Sequence, residues 1–110
     1  MSPDKSAELL IVVTTFASLE DAKKMANKLI ADRLAACVQI QEGIHSIYRW
    51  DGKICEGKEV LLSAKTIADK WIDIANFIKS HHPYDLPEVI AYAPENYEVH
   101  YGKWVESEVK

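Results

Sequence analysis

The densest group of reactive side chains in the sequence is the run His81-His82-Pro83-Tyr84. Imidazole nitrogens bind copper, zinc and nickel, so the two adjacent histidines are candidate metal ligands. Adjacent residues of a helix point about 100° apart, which keeps both rings off one ion unless the helix end relaxes. The structural alternative is that one ring caps the last carbonyl groups of a helix while the other hydrogen-bonds within the fold. No cysteine or histidine at standard metal-site spacing lies nearby to decide between the two interpretations.

The two cysteines, Cys37 and Cys55, are isolated and form no CxxC pair. Cys37 is either an inert small side chain or a soft thiolate that needs further ligands to hold a metal. A third interpretation joins Cys37 with His81 and Asp85 as a nucleophilic set, but no nucleophile-elbow motif supports it. We therefore expect a protein that is not an enzyme.

Two other positions suit ligand or partner contacts. Tyr48, Arg49 and Trp50 combine aromatic faces with a guanidinium group. This combination is typical of a cation–π platform or of an interface anchor, and we favour the interface. Lys65 ends a strand just before a predicted helix, where its ammonium group either holds an anion or is solvated. No Gly-rich phosphate loop accompanies it.

The chain has 110 residues, of which 48% are hydrophobic and 27% charged, and its net charge is −4. This length corresponds to about one domain, with enough apolar residues for a core. Nucleic-acid and membrane partners are not expected, because both need a cluster of basic residues. A polar N-terminus without a signal peptide and isolated cysteines predict a cytoplasmic protein. We expect a flexible tail over residues 1–7 and one domain over residues 8–110.

A long hairpin dominates the expected elements that position these side chains. It follows a strand over Leu9–Phe16, which is apolar on both faces. Within the hairpin, Gly43 predicts a bulge, Asp51-Gly52 predicts a two-residue turn and Gly57 predicts a second kink. Each arm of about 14 residues is over 40 Å long and must project beyond so small a body. The exposed edges of the hairpin predict that neighbouring subunits cover them.

Two helices flank this hairpin in the sequence. Ser18 is the predicted N-cap of the first, and Thr66 with Asp69 predicts the start of the second. The second helix ends near His81-His82, because Pro83 disfavours helical geometry at the residue before it.

A short strand is expected over Glu88–Tyr92 and a terminal helix over Tyr97–Val109. The order is therefore β-α-β-β-α-β followed by a helix. This order predicts an α+β fold of the ferredoxin-like type, with an extended hairpin and two helices on one face of an antiparallel sheet.

Several segments, taken in order, resemble the CutA family of divalent-cation tolerance proteins. They are Leu34–Val38, Ser46–Lys53, Glu59–Thr66, the run His81 with Pro83-Tyr84, Pro87-Glu88, and Trp104. The resemblance extends from about residue 9 to residue 106. The combined pattern is specific to the family, whereas any single piece would not be.

The resemblance implies a homotrimer whose hairpins cross into neighbouring subunits, and a function in tolerance of copper and other divalent metal ions. It implies that Cu(II) or another divalent ion is bound by His81 and His82, with help from Cys37. The cysteine that the family carries in its first strand falls at Thr14, which has no thiol.

The resemblance also implies an architecture similar to that of the trimeric PII signalling proteins, which gives an alternative function. In this alternative the protein is a signalling or interaction module that binds a small ligand in clefts between subunits, and metal binding is incidental. Lys65, Tyr84 and Glu88 are then expected near the cleft. Residues Tyr48–Trp50 are expected at the trimer interface.

Overall fold

A computed structural model describes residues 5–110. Its strands are β1 (Leu9–Phe16), β2 (Cys37–Trp50), β3 (Lys53–Ile67) and β4 (Ile90–Tyr92), and its helices are α1 (Leu19–Ala31), α2 (Trp71–His81) and α3 (Val99–Glu108). All strands are antiparallel to their neighbours, in the order β2-β3-β1-β4. The predicted α+β ferredoxin-like fold is confirmed.

Strand β1 contributes to two cores because its side chains alternate between the faces of the sheet. Leu10, Val12 and Phe16 pack with α1 and α2 in the main core. Leu9 points the other way and joins a smaller core beneath α3, formed with Ile67, Val105 and Val109. Thr15 of β1 and residues 57–59 of β3 lie outside this smaller core and line a cleft.

The β2–β3 hairpin has the predicted length, and the described chain measures 49 Å along its longest axis. Asp51 and Gly52 both have positive φ, 53° and 74°, as a tight two-residue hairpin turn requires. Gly43 has a φ of 81°, and the strand pairing shifts register between Gln41 and Ile44, which confirms the bulge. The predicted kink at Gly57 is wrong, because the ladder continues there without a shift.

The capping signals in the sequence predicted the start of α1 correctly but not the start of α2. The Ser18 hydroxyl accepts a hydrogen bond from the Asp21 N–H at 3.1 Å and caps α1 as predicted. The predicted start at Thr66 is wrong: Thr66 is fully buried in β3, which continues to Ile67. A short 3₁₀ turn over residues 68–70 then leads into α2 at Trp71. Pairing with β1 extends the strand beyond the local capping signal.

The segment before β1 is partly described. Residues 1–4 of the predicted tail lie outside the described residues. The Ser6 carbonyl accepts a hydrogen bond from Asp69 N–H at 2.8 Å, and the Glu8 carbonyl accepts one from Ala68 at 2.8 Å. Within residues 5–110, no helix combines the length and the apolar character that crossing a bilayer requires.

Candidate functional site

His82 is held by the backbone through both ring nitrogens. Its Nε2 donates to the Thr15 carbonyl oxygen at 2.8 Å, and its Nδ1 accepts from the Tyr84 N–H at 3.1 Å. The ring stacks on Phe16 with centroids 4.3 Å apart. Burial lowers the pKa of His82, and the opposing effects of the Thr15 carbonyl, Asp21 and Glu59 do not cancel it. His82 is therefore a neutral ring that fixes the loop after α2 against the end of β1.

His81 has a different environment at the exposed end of α2. Its Nδ1 lies 2.9 Å from the Phe77 carbonyl oxygen and 3.1 Å from the Ser80 hydroxyl, and its ring stacks on Phe77. Because a carbonyl oxygen can only accept, the 2.9 Å contact places a proton on Nδ1. The lone pair of the neutral ring is then on Nε2, which has no hydrogen-bond partner among residues 5–110.

A single chain does not unite Cys37 with the histidines. Cys37 pairs with Lys65 on β3, whereas Thr15, which His82 contacts, pairs with Leu61. The two partner positions on β3, Lys65 and Leu61, are four residues or about 13 Å apart along the strand. Cys37 also lies two strands away from Thr15. Across the described chain, no three histidine, cysteine or acidic side chains are grouped as a metal site would need.

Thr14, where the family resemblance implies a first-strand cysteine, is fully buried. Its hydroxyl has no hydrogen-bond partner in the described structure. A buried, unpaired hydroxyl is not a ligand that substitutes for a thiolate, because it is neither charged nor soft.

A cleft of about 810 Å³ opens where the hairpin leaves the body of the protein. It contains the predicted ligand residues Tyr84 and Glu88 together with the predicted interface residues. Its lining comprises Thr15, Ala17, Tyr48, Arg49, Trp50, Gly57, Lys58, Glu59, Tyr84, Asp85, Leu86, Pro87 and Glu88. The structure thus brings together two groups of residues that the sequence treated separately.

Lys65 does not line this cleft. It lies six residues along β3 from Glu59, which corresponds to about 20 Å. Its ammonium group donates to the Gln39 side-chain oxygen at 2.8 Å and lies 5.7 Å from the centre of the Tyr101 ring. Lys65 therefore belongs to a separate polar and aromatic cluster beside α3.

Glu59 anchors the floor of the cleft, and the sequence analysis did not single it out. Its carboxylate accepts from the Tyr84 hydroxyl at 3.0 Å. Burial alone would raise the pKa of Glu59, but hydrogen bonds from Ser46, Tyr84 and Thr15, together with His82, outweigh it and lower the pKa. Burial and the Glu59 carboxylate raise the pKa of Tyr84 to about 12, which keeps its phenol protonated as a donor. An acidic residue at the start of the apolar run Val60–Leu62 was the available sequence signal.

The family model for the CutA1 divalent ion tolerance protein matches residues 10–108. The chain belongs to the CutA family. This confirms the family resemblance that the sequence motifs indicated.

Individual relatives match nearly the full length of this CutA chain. The divalent-cation tolerance protein CutA of Pyrococcus horikoshii is 39% identical over 102 residues, covering 93% of this chain and 99% of that protein. The chloroplastic protein CutA of Arabidopsis thaliana is 34% identical over 96% of this chain, which spans 58% of the plant protein. The crystal structure of CutA1 from Oryza sativa has a TM-score of 0.91 at 33% identity, covering 97% of this chain and 98% of that one.

The role of Glu59 gives a pH-dependent prediction. Replacing Glu59→Gln should lower the free energy of unfolding by about 1 kcal/mol at pH 7, because the charged acceptor of several hydroxyl groups is lost. The folded-state pKa of Glu59 is below its ordinary value of 4.5. The carboxylate therefore stabilises the fold above that value, and its contribution disappears as the pH falls through the folded-state pKa. Urea unfolding at pH 7 and pH 3.5, at one protein concentration, measures the difference.

Tyr84→Phe is the matched control for this measurement. It removes one donor to Glu59 and keeps the aromatic ring, so it should cost less than Glu59→Gln at pH 7. An equal loss of stability for Glu59→Gln at both pH values would contradict a role for the ionised carboxylate.

Proposed function

We propose that this protein is a homotrimer that functions in divalent metal ion tolerance by binding metal ions, Cu(II) among them, without catalysing a reaction. The observation that carries the proposal is the geometry of His81. A metal-binding histidine commonly donates one ring N–H to a backbone carbonyl, which orients the other nitrogen toward the ion. His81 has this arrangement, with Nδ1 against the Phe77 carbonyl and Nε2 unpaired at the surface.

The three proposed metal ligands, His81, His82 and Cys37, differ in how readily they can bind. His81 offers a free nitrogen as it stands. His82 must first release either the Tyr84 N–H or the Thr15 carbonyl. Cys37 lies too far along the sheet to join them within one chain. A site with several donors therefore needs contributions from more than one subunit, and the imidazole nitrogens of the two histidines suit Cu(II).

The trimer proposal rests on the exposed apolar side chains of the hairpin. Tyr48 and Trp50 are 49% and 54% exposed, and Ile47 and Ile54 are 70% and 72% exposed on the other face of the hairpin. These residues project beyond the core, and among residues 5–110 the outer edge of β2 has no partner strand. Such a strand edge with apolar faces is a site for association between subunits. In a closed symmetric oligomer, the edge and the apolar side chains of every copy are covered by a neighbour.

We also propose that the protein acts in the cytoplasm. Cys37 and Cys55 are both free and partly exposed, as is usual in a reducing compartment.

The metal proposal predicts a difference between the two histidines. His81→Ala should weaken Cu(II) binding about tenfold or more, while leaving the free energy of unfolding within about 0.5 kcal/mol because the residue is exposed. His82→Ala should instead lower the free energy of unfolding by about 2 kcal/mol, through the loss of two hydrogen bonds and the stacking on Phe16. Calorimetric Cu(II) and Zn(II) titration and urea unfolding measure both effects.

His45→Ala provides the control, since His45 is an exposed histidine on the hairpin. It should bind Cu(II) as the unmodified protein does. The double variant His81→Ala/His82→Ala should bind no more tightly than His81→Ala. Equal Cu(II) affinity in the double variant and the unmodified protein would remove both histidines from the proposed site.

The trimer predicts a mass of about 37 kDa in light scattering at micromolar concentration, three times the 12.4 kDa of one chain. Trp50→Glu should shift the mass toward that of the monomer, because it places a charge in the proposed apolar interface. Ile72→Glu makes a similar change on the exposed face of α2 and should leave the trimer intact. A monomer mass for the unmodified protein would contradict the proposal.

The second candidate function is a PII-like module that binds a small ligand in the cleft between subunits. The cleft volume of about 810 Å³ lies within the range of small-molecule sites. The residues that line it include the aromatic Tyr48, Trp50 and Tyr84 and the cationic Arg49 and Lys58. Aromatic stacking surfaces beside cations suit a ligand with a planar ring and an anionic group.

This candidate predicts thermal stabilisation by nucleotides at millimolar concentration, because a ligand of the native state raises the unfolding temperature by mass action. The variant Arg49→Gln/Lys58→Gln should lose most of that shift. Lys53→Gln/Lys103→Gln removes the same charge outside the cleft lining and should keep it. No shift with any nucleotide or small anion would exclude this function while leaving the metal proposal standing.

A further inference from the structure

A second, smaller cavity lies on the helix side of the sheet, between α1 and the end of α2. Its volume is about 160 Å³, which is roughly the share of five water molecules in the liquid. Its lining comprises Phe16, Asp21, Lys24, Met25, Lys28, His81 and Pro83. Phe16 directly follows Thr15 in β1, so this helix-side pocket and the cleft open on opposite faces of the sheet.

The polar wall of the helix-side pocket has an excess of positive charge. Lys24 and Lys28 are four residues apart in α1, so their side chains lie on one side of the helix. Asp21 supplies the one carboxylate of the lining. Among residues 5–110 the salt bridges are confined to Glu98 with His100 and Glu106 with Lys110, so neither pocket lysine is paired with a carboxylate.

Two unpaired ammonium groups at this spacing repel each other, which costs a few tenths of a kcal/mol in a helix. An anion between them would remove that repulsion and form charge-assisted hydrogen bonds with both. His81 also lines the pocket, and the contact of its Nδ1 with the Phe77 carbonyl fixes the ring in place.

The floor of the helix-side pocket is apolar and rigid. Phe16 and Met25 are 1% and 3% exposed, so they are part of the main core, and Pro83 has a fixed backbone. Pro83 is exposed and supplies the apolar surface that an inorganic ion would leave in contact with water. A ligand with a short hydrocarbon body would cover Pro83 beside Met25, which is favourable.

We propose that the helix-side pocket binds a small organic carboxylate, with its carboxylate between Lys24 and Lys28 and its hydrocarbon body on Met25 and Pro83. This site goes beyond the proposed metal and cleft functions. The pocket does not favour binding of a bare cation, because its two lysines repel one. His81 borders the pocket, so a bound carboxylate would lie beside the side chain whose Nε2 is the proposed metal ligand.

The test uses the full-length protein labelled with ¹³C at the methionine methyl groups. Acetate, butyrate and inorganic phosphate are titrated separately at constant ionic strength, and the Met25 methyl resonance is followed. We expect a saturable shift with butyrate at millimolar concentration and at least threefold weaker binding of acetate, since each fully buried methylene group contributes about fourfold in affinity. Saturation by phosphate with no response to butyrate would overturn the carboxylate assignment.

The decisive variant is Lys24→Gln/Lys28→Gln, which keeps His81 and the apolar floor. It should weaken butyrate binding about tenfold or more, whereas Lys23→Gln/Lys103→Gln removes the same charge outside the pocket lining and should not. Unchanged butyrate affinity in Lys24→Gln/Lys28→Gln, or the absence of any saturable shift in the unmodified protein, would overturn the proposal.

Cu(II) titration of the same variant separates this proposal from the metal function. Loss of the two lysines should leave Cu(II) affinity unchanged or raise it, because repulsion of the cation is removed. A variant that loses butyrate binding and keeps Cu(II) binding supports both functions. A variant that loses both butyrate binding and Cu(II) binding has lost a structure on which both depend. That outcome would contradict a separate carboxylate site.

Discussion

Strand β3 is longer than the body that supports it, and the rest of the structure depends on this mismatch. Pairing with β1 ends at Val60, whereas pairing with β2 continues to Lys53. Glu59 is the first residue of β3 beyond the support of β1. Its carboxylate accepts from Tyr84, so the loop after α2 braces the hairpin where the adjacent strand is missing. The cleft opens beyond this brace, and the exposed apolar side chains of the unsupported hairpin are the basis of the trimer proposal.

The adjacent histidines have separate functions because they lie on the two sides of a helix end. His81 is the last residue of α2, and His82 is in extended conformation directly after it. The helical residue bonds to its own helix through Phe77 and leaves one nitrogen exposed. The extended residue turns inward to Thr15 and uses both nitrogens. Each chain therefore has one imidazole nitrogen free to act as a ligand in the proposed metal site.

The two cavities are distinguished by the charges around them. The cleft on the hairpin side contains both Arg49 and Lys58 and an ionised Glu59 whose oxygens are already engaged by hydroxyl groups. The helix-side pocket has an apolar floor and two lysines that form no salt bridge within residues 5–110. A single sheet thus presents a mixed aromatic surface on one face and a compact cationic pocket on the other. The loop after α2 contributes to both, which provides a physical connection between them.

The sequence by itself determined the order of the elements, the long hairpin with its turn and bulge, the cap at Ser18 and the family, because these depend on local backbone preferences and on motif order. It did not determine the extension of β3 through Thr66, because pairing with β1 outweighs a local capping signal. Nor did it determine the roles of His81 and Glu59, or the separation of Lys65 from the cleft. Those depend on which backbone groups meet across the sheet, and only the tertiary structure decides that.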